Sequence, residues 1–388
     1  MAMTALEPAA LMPALLADLR ELVECESPST DLEAVARSAD VVARIGATRL
    51  GVTAERIVLE GRTHLRWRLG SGPSRLLLVG HHDTVWPIGT LARRPFDITD
   101  GVVRGPGCFD MLTGLVMAFH ALASLECVDG VTLLVTGDEE LGSPSSRGLI
   151  EDEARLASAA LVLEASADGG AIKTGRKGVS LYDVRIHGHA AHAGLEPELG
   201  VNATLELAHQ ALAVAALGDP ELGTTVTPTV AASGTTSNTV PAAASFAVDV
   251  RVWTVEEQDR VDAAMHALEP VLDGARVEVL GGPNRPPLEE AMSAGLWALT
   301  QSLAAALGLP ELTAVTVGGA SDGNLTAGVG TPTLYCLGAV GGGAHAEHEH
   351  VLVEPIAGRT ALLAQLIADL ARPSGSTNHD APTGAARP

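Results

Sequence analysis

Aromatic residues are scarce in this 388-residue chain, at 3% for Phe, Trp and Tyr together. Its interior must therefore be built from Ala, Val and Leu, and 46% hydrophobic residues supply enough of them. Lysine occurs only at 173 and 177. With 25 basic side chains against 47 acidic ones, the net charge is −22. That balance argues against nucleic acid and anionic membrane surfaces as partners, because both require basic patches. Part of the acidic excess can instead serve a bound cation. The four cysteines, Cys25, Cys108, Cys127 and Cys336, are scattered with no CxxC spacing. A disulfide scaffold is excluded, and a reducing cytoplasm is the expected location. No uncharged apolar run reaches 18 residues, so no membrane-spanning helix is expected. The first residues lack a positive leader and space Leu11, Leu15, Leu19 and Leu22 as an amphipathic helix does, which reads against a signal peptide.

What is present is abundant glycine, 42 residues, and a chain long enough for two domains. Helical patterns at 9–24 and 31–50 precede short apolar runs at 56–60, 64–69, 76–80, 131–136 and 160–164. A helical stretch at 110–125 lies between the third and fourth runs. Strands separated by helices predict an α/β sheet covered on both faces. The middle changes character. Segments 179–190, 226–234, 244–253 and 275–282 read as strands, the first three alternating as half-buried strands do, and they interleave with helices at 201–217 and 255–272. This predicts an inserted α+β domain over 179–287, an antiparallel sheet with two helices. It splits a catalytic α/β domain into 1–178 and 288–371. The tail 372–388 is rich in Gly, Pro, Ser and Thr and reads as disordered.

Polar residues gather just after the apolar strands, where sites form in open α/β sheets. GHHD (80–83), RGPGCFDM (104–111), TGDEELGS (136–143), LVLEAS (161–166) and GGGAHAEHEHV (341–351) supply His, Asp and Glu side chains. Imidazole and carboxylate without thiolate suit a catalytic zinc or a related divalent ion. Taken singly, each has a plainer reading. His81 can be a hydrogen-bonded strand end, Asp110 a helix cap, Glu139 and Glu140 a solvated turn, Glu164 an exposed charge and His345 part of a surface loop. Within GHHD, neighbouring strand side chains point to opposite faces, so His81 and Asp83 share a side and His82 faces away.

The motifs HxDTV (81–85), GPGxFDM (105–111), TGDEExGS (136–143), GHAAHAGLEPELGVNA (188–203), SNTVP (237–241), DVR (249–251) and GGGAHxxxEHV (341–351) together resemble the M20 family of zinc metallopeptidases. The likeness is to its carboxypeptidase G2, or glutamate carboxypeptidase, branch, and it runs in order from about residue 10 to 371. The resemblance implies a di-zinc α/β domain interrupted by a lid or dimerisation domain. It implies that His81, Asp110, Glu140, Glu164 and His345 bind two zinc ions per chain, with cobalt or manganese as substitutes. Asp110 would bridge the two ions. Glu139 would be the general base and Asp83 the carboxylate supporting His81, leaving His82 a bystander. In the inserted domain, His192 would stabilise an oxyanion in the partner subunit's site, and Asn238 and Arg251 would hold the substrate carboxylate. GGASDGN (318–324) resembles a Gly-rich substrate loop. Leu112 stands where the family commonly has lysine, and His348 is the fallback for His345. The implied activity is hydrolysis of an amide bond next to an amino acid with a free carboxylate. Its substrate would be a small N-acyl amino acid or short peptide, its state a homodimer formed through the lid. A deacylase of the acetylornithine or succinyl-diaminopimelate type is the related alternative. A non-catalytic binding protein of the same fold would have lost Glu139 or a ligand, and none is missing.

Overall fold

The computed structural model describes residues 8–126 and 128–372. Cys127 and, beyond Arg372, the tail expected to be disordered lie outside the described residues. In chain order, six strands come first: β1 (Glu55–Leu59), β2 (Arg62–Leu69), β3 (Leu76–His81), β4 (Val131–Thr136), β5 (Ala159–Val162) and β6 (Ile172–Arg176). Four long ones follow: β7 (Gly178–His187), β8 (Thr225–Ser233), β9 (Ala243–Val252) and β10 (Arg276–Arg285). Two more, β11 (Ala314–Val317) and β12 (Thr333–Tyr335), complete the main strands. The helices are α1 (Pro8–Val23), α2 (Leu32–Leu50), α3 (Thr113–Ala123), α4 (Arg147–Leu156), α5 (Ala203–Ala215), α6 (Val255–His266), α7 (Glu290–Ala306), α8 (Asp322–Gly328) and α9 (Glu354–Leu370).

Eight strands form one sheet in the order β1-β2-β4-β3-β5-β12-β6-β11. Its centre is parallel: β3 pairs in parallel with β4 and β5, and β12 with β5. β2 and β6 run antiparallel to this block. The apolar run of β3 explains its central place. Leu76 and Leu78 enter the core under α1, α2, α3 and α9, while Leu77 and Val79 enter a second core with Ile150 of α4 and Leu325 of α8. All six β3 residues are buried. Each fully buried leucine contributes about 1.5–3 kcal/mol, which offsets the scarcity of aromatic residues. The one aromatic pair in this core, Trp67 and Phe119, meets edge to face at 5.4 Å.

α2 starts at Asp31, whose side chain accepts the Ala34 N–H at 3.0 Å, and stops at Gly51 in the left-handed region. Gly46 lets α2 lie against β2, since a Cβ there would stand 2.4 Å from the Trp67 ring.

The second sheet, β8-β9-β7-β10, is wholly antiparallel. α5 and α6 cover one of its faces, around a core that includes Tyr182, Val184, Ile186, Phe246, Val250, Val261 and Met265. The chain enters and leaves this sheet side by side. The Arg176 N–H donates to the Leu288 carbonyl at 2.9 Å and the Leu288 N–H to the Arg176 carbonyl at 3.0 Å.

Three expectations need correction. The helix predicted over 255–272 ends at His266, because Pro270 disfavours helical conformation in the residue before it and cannot donate. The helix predicted from Asp110 begins at Thr113, and Asp110 lies in a kinked turn before it with φ −114° and ψ 95°. The strand predicted over 275–282 continues to Arg285. Helices α4 and α8 and strand β6 had no place in the sequence pattern.

Candidate active site

The four parallel strands β4, β3, β5 and β12 end at the same edge of the large sheet. His81 is the last residue of β3 and pairs with Thr136, the last of β4. Glu139 and Glu140 follow in the turn after β4, Glu164 stands two residues after β5, and the loop after β12 carries His345. Asp110 reaches the same edge from the turn before α3.

These side chains meet in two overlapping groups. His81, Asp110 and Glu164 form one; Asp110, Glu140 and His345 form the other. His81 Nε2 lies 3.5 Å from Asp110 Oδ1 and 3.4 Å from Glu164 Oε1. His345 Nε2 lies 3.3 Å from Asp110 Oδ2 and 3.1 Å from Glu140 Oε2. Asp110 thus offers one oxygen to each group. His348 and His350 belong to neither group. The His350 ring instead turns back onto the His348 carbonyl.

The donor set fits a pair of divalent cations. His81 Nδ1 donates to the Asp83 backbone carbonyl at 2.9 Å, so the neutral ring presents a lone pair at Nε2. That atom is buried without a hydrogen-bond partner and faces two carboxylates. Acceptors converging on one point require a cation or protons to hold them together. Without metal, protons take that part. Burial works to lower the His81 pKa, yet Asp110, Asp83 and Glu164 drive it well above the ordinary histidine value. Hydrogen bonds donated to the Asp110 and Glu140 carboxylates lift His345 to about 10.

Asp83 is fully buried and does more than face His81. Its carboxylate accepts the backbone N–H groups of Glu139 and Glu140, each at 3.2 Å. The turn is held from its other side by Asp138, which accepts the Ser145 N–H (2.8 Å) and hydroxyl (2.6 Å) and the Ser146 N–H (3.2 Å) and hydroxyl (2.5 Å). His82 points the opposite way from His81. Its Nε2 donates to the Thr63 carbonyl at 3.0 Å, its Nδ1 lies 3.1 Å from Ser38 Oγ, and burial lowers its pKa to about 4.

Glu139 lies beside the cluster in a pocket of charge that the sequence motifs did not reveal. Its Oε1 is 3.5 Å from Arg285 Nη1. Arg285 Nη2 also donates to Ser143 Oγ at 2.9 Å and lies 3.6 Å from Asp322 Oδ1. Burial first, and the nearby Asp322 second, push the Glu139 pKa well above the usual carboxylate range. Asp322 belongs to the GGASDGN segment, which Arg176 holds by donating to the Gly319 carbonyl (2.6 Å) and Ser321 Oγ (3.0 Å). Glu349 is a further buried acid, and it accepts the Asp110 N–H at 3.2 Å. Arg176, Arg285, Asp322 and Glu349 were all missed as individual residues. The sequence signals were the Gly-rich motif around Asp322 and the GGGAHxxxEHV motif that contains Glu349.

The three residues expected from the inserted segment are not drawn into this cluster within one chain. His192 is exposed, and its ring accepts the Gly194 N–H at 3.1 Å. It sits in a two-residue ladder with Thr239, next to Asn238, whose carbonyl accepts the Ala193 N–H. Arg251 forms a two-point ion pair with Asp249 on its own strand, at 2.8 and 2.9 Å.

Comparison with known proteins gives the family. Residues 77–369 match the family described as peptidase family M20/M25/M40. The chain belongs to that family. This M20 protein is 33% identical over 380 residues to carboxypeptidase G2 of Pseudomonas sp. strain RS-16, covering 92% of this chain and 89% of that one. It is 27% identical over 333 residues to succinyl-diaminopimelate desuccinylase of Azoarcus sp. strain BH72, covering 79% and 86%. Among solved structures, aminopeptidase PepT from Bacillus cereus shares the fold with a TM-score of 0.72 at 23% identity, covering 93% of this chain and 99% of that one. An M20 family metallo-carboxypeptidase from Sulfolobus solfataricus does so with a TM-score of 0.70 at 17% identity, covering 92% and 99%. The M20 chain is therefore an enzyme of the peptidase and amidohydrolase type, with a mixed α/β sheet and a separate antiparallel sheet. Among its described residues, no helix is long and apolar enough to cross a membrane.

Proposed function

We propose that this chain is a dinuclear zinc hydrolase that releases an amino acid with a free α-carboxylate from an N-acyl or peptide precursor, in the manner of a glutamate carboxypeptidase. The observation that carries the reading is the pair of ligand groups sharing Asp110, with the unliganded carboxylate of Glu139 held beside them. His81, Asp110 and Glu164 would hold one ion, and Asp110, Glu140 and His345 the other. When bound, two divalent ions supply a Lewis acid for the scissile carbonyl and lower the pKa of a water in the site.

The protein's own groups do the rest. Glu139 takes the proton of the attacking water and delivers it to the leaving nitrogen. Burial and the nearby Asp322 raise its pKa, which makes its carboxylate a stronger proton acceptor. Asp83 keeps the His81 ring in one tautomer and the Glu139–Glu140 turn in one place. In the lid, which we take as 179–287, His192 would donate to the developing oxyanion of a partner subunit, while Asn238 and Arg251 would hold the substrate carboxylate. Exposure of Val230 (75%) on the edge strand β8 and of Leu212 (74%) on α5 supports a homodimer through this domain. The unpaired thiols of Cys25, Cys108 and Cys336 suit a reducing, cytoplasmic setting.

Identity to carboxypeptidase G2 over 92% of the chain favours glutamate release over the desuccinylase alternative. The test is a hydrolysis screen of N-acyl amino acids and dipeptides, with zinc, cobalt or manganese supplied and bound metal counted. The expected result is a free amino acid as product with close to two ions per chain. An inactive protein with each of these ions would leave the binding-protein reading in its place.

A further inference from the structure

Glu349 lies in the His-rich loop, is 1% exposed, and accepts four hydrogen bonds, three from the backbone around Asp110 and one from Trp86. Its Oε1 accepts the N–H groups of Phe109 (3.0 Å) and Asp110 (3.2 Å), and its Oε2 accepts the Gly107 N–H (3.0 Å) and the Trp86 indole N–H (2.8 Å). A carboxylate has about four lone-pair sites, so none is left for a cation or a substrate. The turn needs such a partner. Asp110 and Met111 depart from helical dihedrals, and Gly107 is in the left-handed region at φ 73°. The N–H groups of Gly107, Phe109 and Asp110 go to Glu349 instead of to helical carbonyls.

We propose that Glu349 is the positioning residue that sets Asp110 between the two ligand groups, an inference that rests on the dinuclear reading above. One carboxylate ties together three segments: the loop after His81 and Asp83 through Trp86, the turn carrying Asp110, and the loop carrying His345. The two ligand groups do not depend on it equally. His81 and Glu164 are buried at the ends of central strands. The His345 side chain is half exposed, stands at φ 61°, and sits four residues before Glu349 in the same loop. Loss of Glu349 loosens both Asp110 and the His345 loop. The group of Asp110, Glu140 and His345 should then weaken while the group of His81, Asp110 and Glu164 persists.

The experiment is a stepwise zinc titration of the metal-free full-length protein by calorimetry, with metal counting after gel filtration, on wild type, Glu349→Gln and Trp86→Phe. Glutamine preserves volume, but its amide NH2 must face N–H donors on one side or the other. The expected result for Glu349→Gln is a first ion bound as in wild type and a second bound about 10–100-fold more weakly, the usual effect of losing a group that orients a ligand. Trp86→Phe removes one of the four donors and should show a smaller loss of the second ion. It decides the matter if Glu349→Gln does not fold, and an unchanged second ion would then overturn the proposal. A folded Glu349→Gln protein that binds both ions as wild type does overturns the role of Glu349 alone. A wild-type protein that binds no zinc overturns the dinuclear reading and this inference with it.

Discussion

Asp83 holds Glu139 by its backbone: Oδ1 of the buried aspartate accepts the Glu139 N–H at 3.2 Å. The same carboxylate accepts the Glu140 N–H through its other oxygen. A residue assigned to the histidine ligand thus also fixes the turn that delivers both glutamates. Their side chains are free to diverge, Glu140 toward His345 and Glu139 toward Arg285.

Glu139→Gln should therefore change chemistry and little else. Turnover should fall by about 10²–10⁴-fold, the range for loss of a general base. Metal content and melting temperature should stay at wild-type values. Steady-state kinetics beside metal analysis checks this, and wild-type turnover would remove Glu139 as the base.

His81 and His82 should separate cleanly. His81→Ala removes a ligand and should abolish hydrolysis and reduce bound metal. His82→Ala should keep both ions and activity but lose about 1–3 kcal/mol of stability, because the Thr63 carbonyl is left buried without its partner. Denaturant melts and metal counts on the two variants give the answer. A loss of metal in His82→Ala would shift the register of the whole site.

A pH dependence is expected far from the active site. Asp18 accepts hydrogen bonds from His120 (2.8 Å) and from two nitrogens of Arg49 (2.7 and 2.9 Å). Burial alone would raise its pKa, but these partners outweigh it and hold Asp18 below the ordinary 3.8. A carboxyl depressed in the folded state contributes stability that is fully present above its unfolded pKa and disappears as pH falls through the folded one. Asp18→Asn should cost about 1–3 kcal/mol near neutrality, and the difference from wild type should shrink below pH 3.8. Urea melts at a series of pH values test the sign. A gap that widens toward acid would refute it.

Gly46→Ala should destabilise, against helix propensity. Alanine in the middle of a helix gains about 1 kcal/mol over glycine, but here the new methyl would meet the rigid, buried Trp67 ring at 2.4 Å. Overpacking of that kind costs about 1–3 kcal/mol, so the net change should be a lower melting temperature. A rise on thermal melting would show that Trp67 can yield.

What could be read in the sequence, and what could not, follows from distance along the chain. His81 and Glu164 stand at or near the ends of apolar runs, and a strand's exit is a local pattern. The alternation of β9 likewise declared a half-buried strand. Asp110 read equally well as a helix cap, because the contact that defines its setting comes from Glu349, 239 positions away. Arg285 lies beyond the strand predicted over 275–282, although it ends β10 and reaches Glu139. The over-long helix at 255–272 has a different cause, since the apolar spacing continued past the point where Pro270 forbids it.

The paired backbones of Arg176 and Leu288 have a consequence for how this enzyme can vary. Because departure and return are stitched to each other by two hydrogen bonds, the hundred or so residues between them form a cassette whose length and sequence leave the eight-stranded sheet in register. The second sheet can therefore change while the strand exits that carry His81, Glu140 and Glu164 stay where they are.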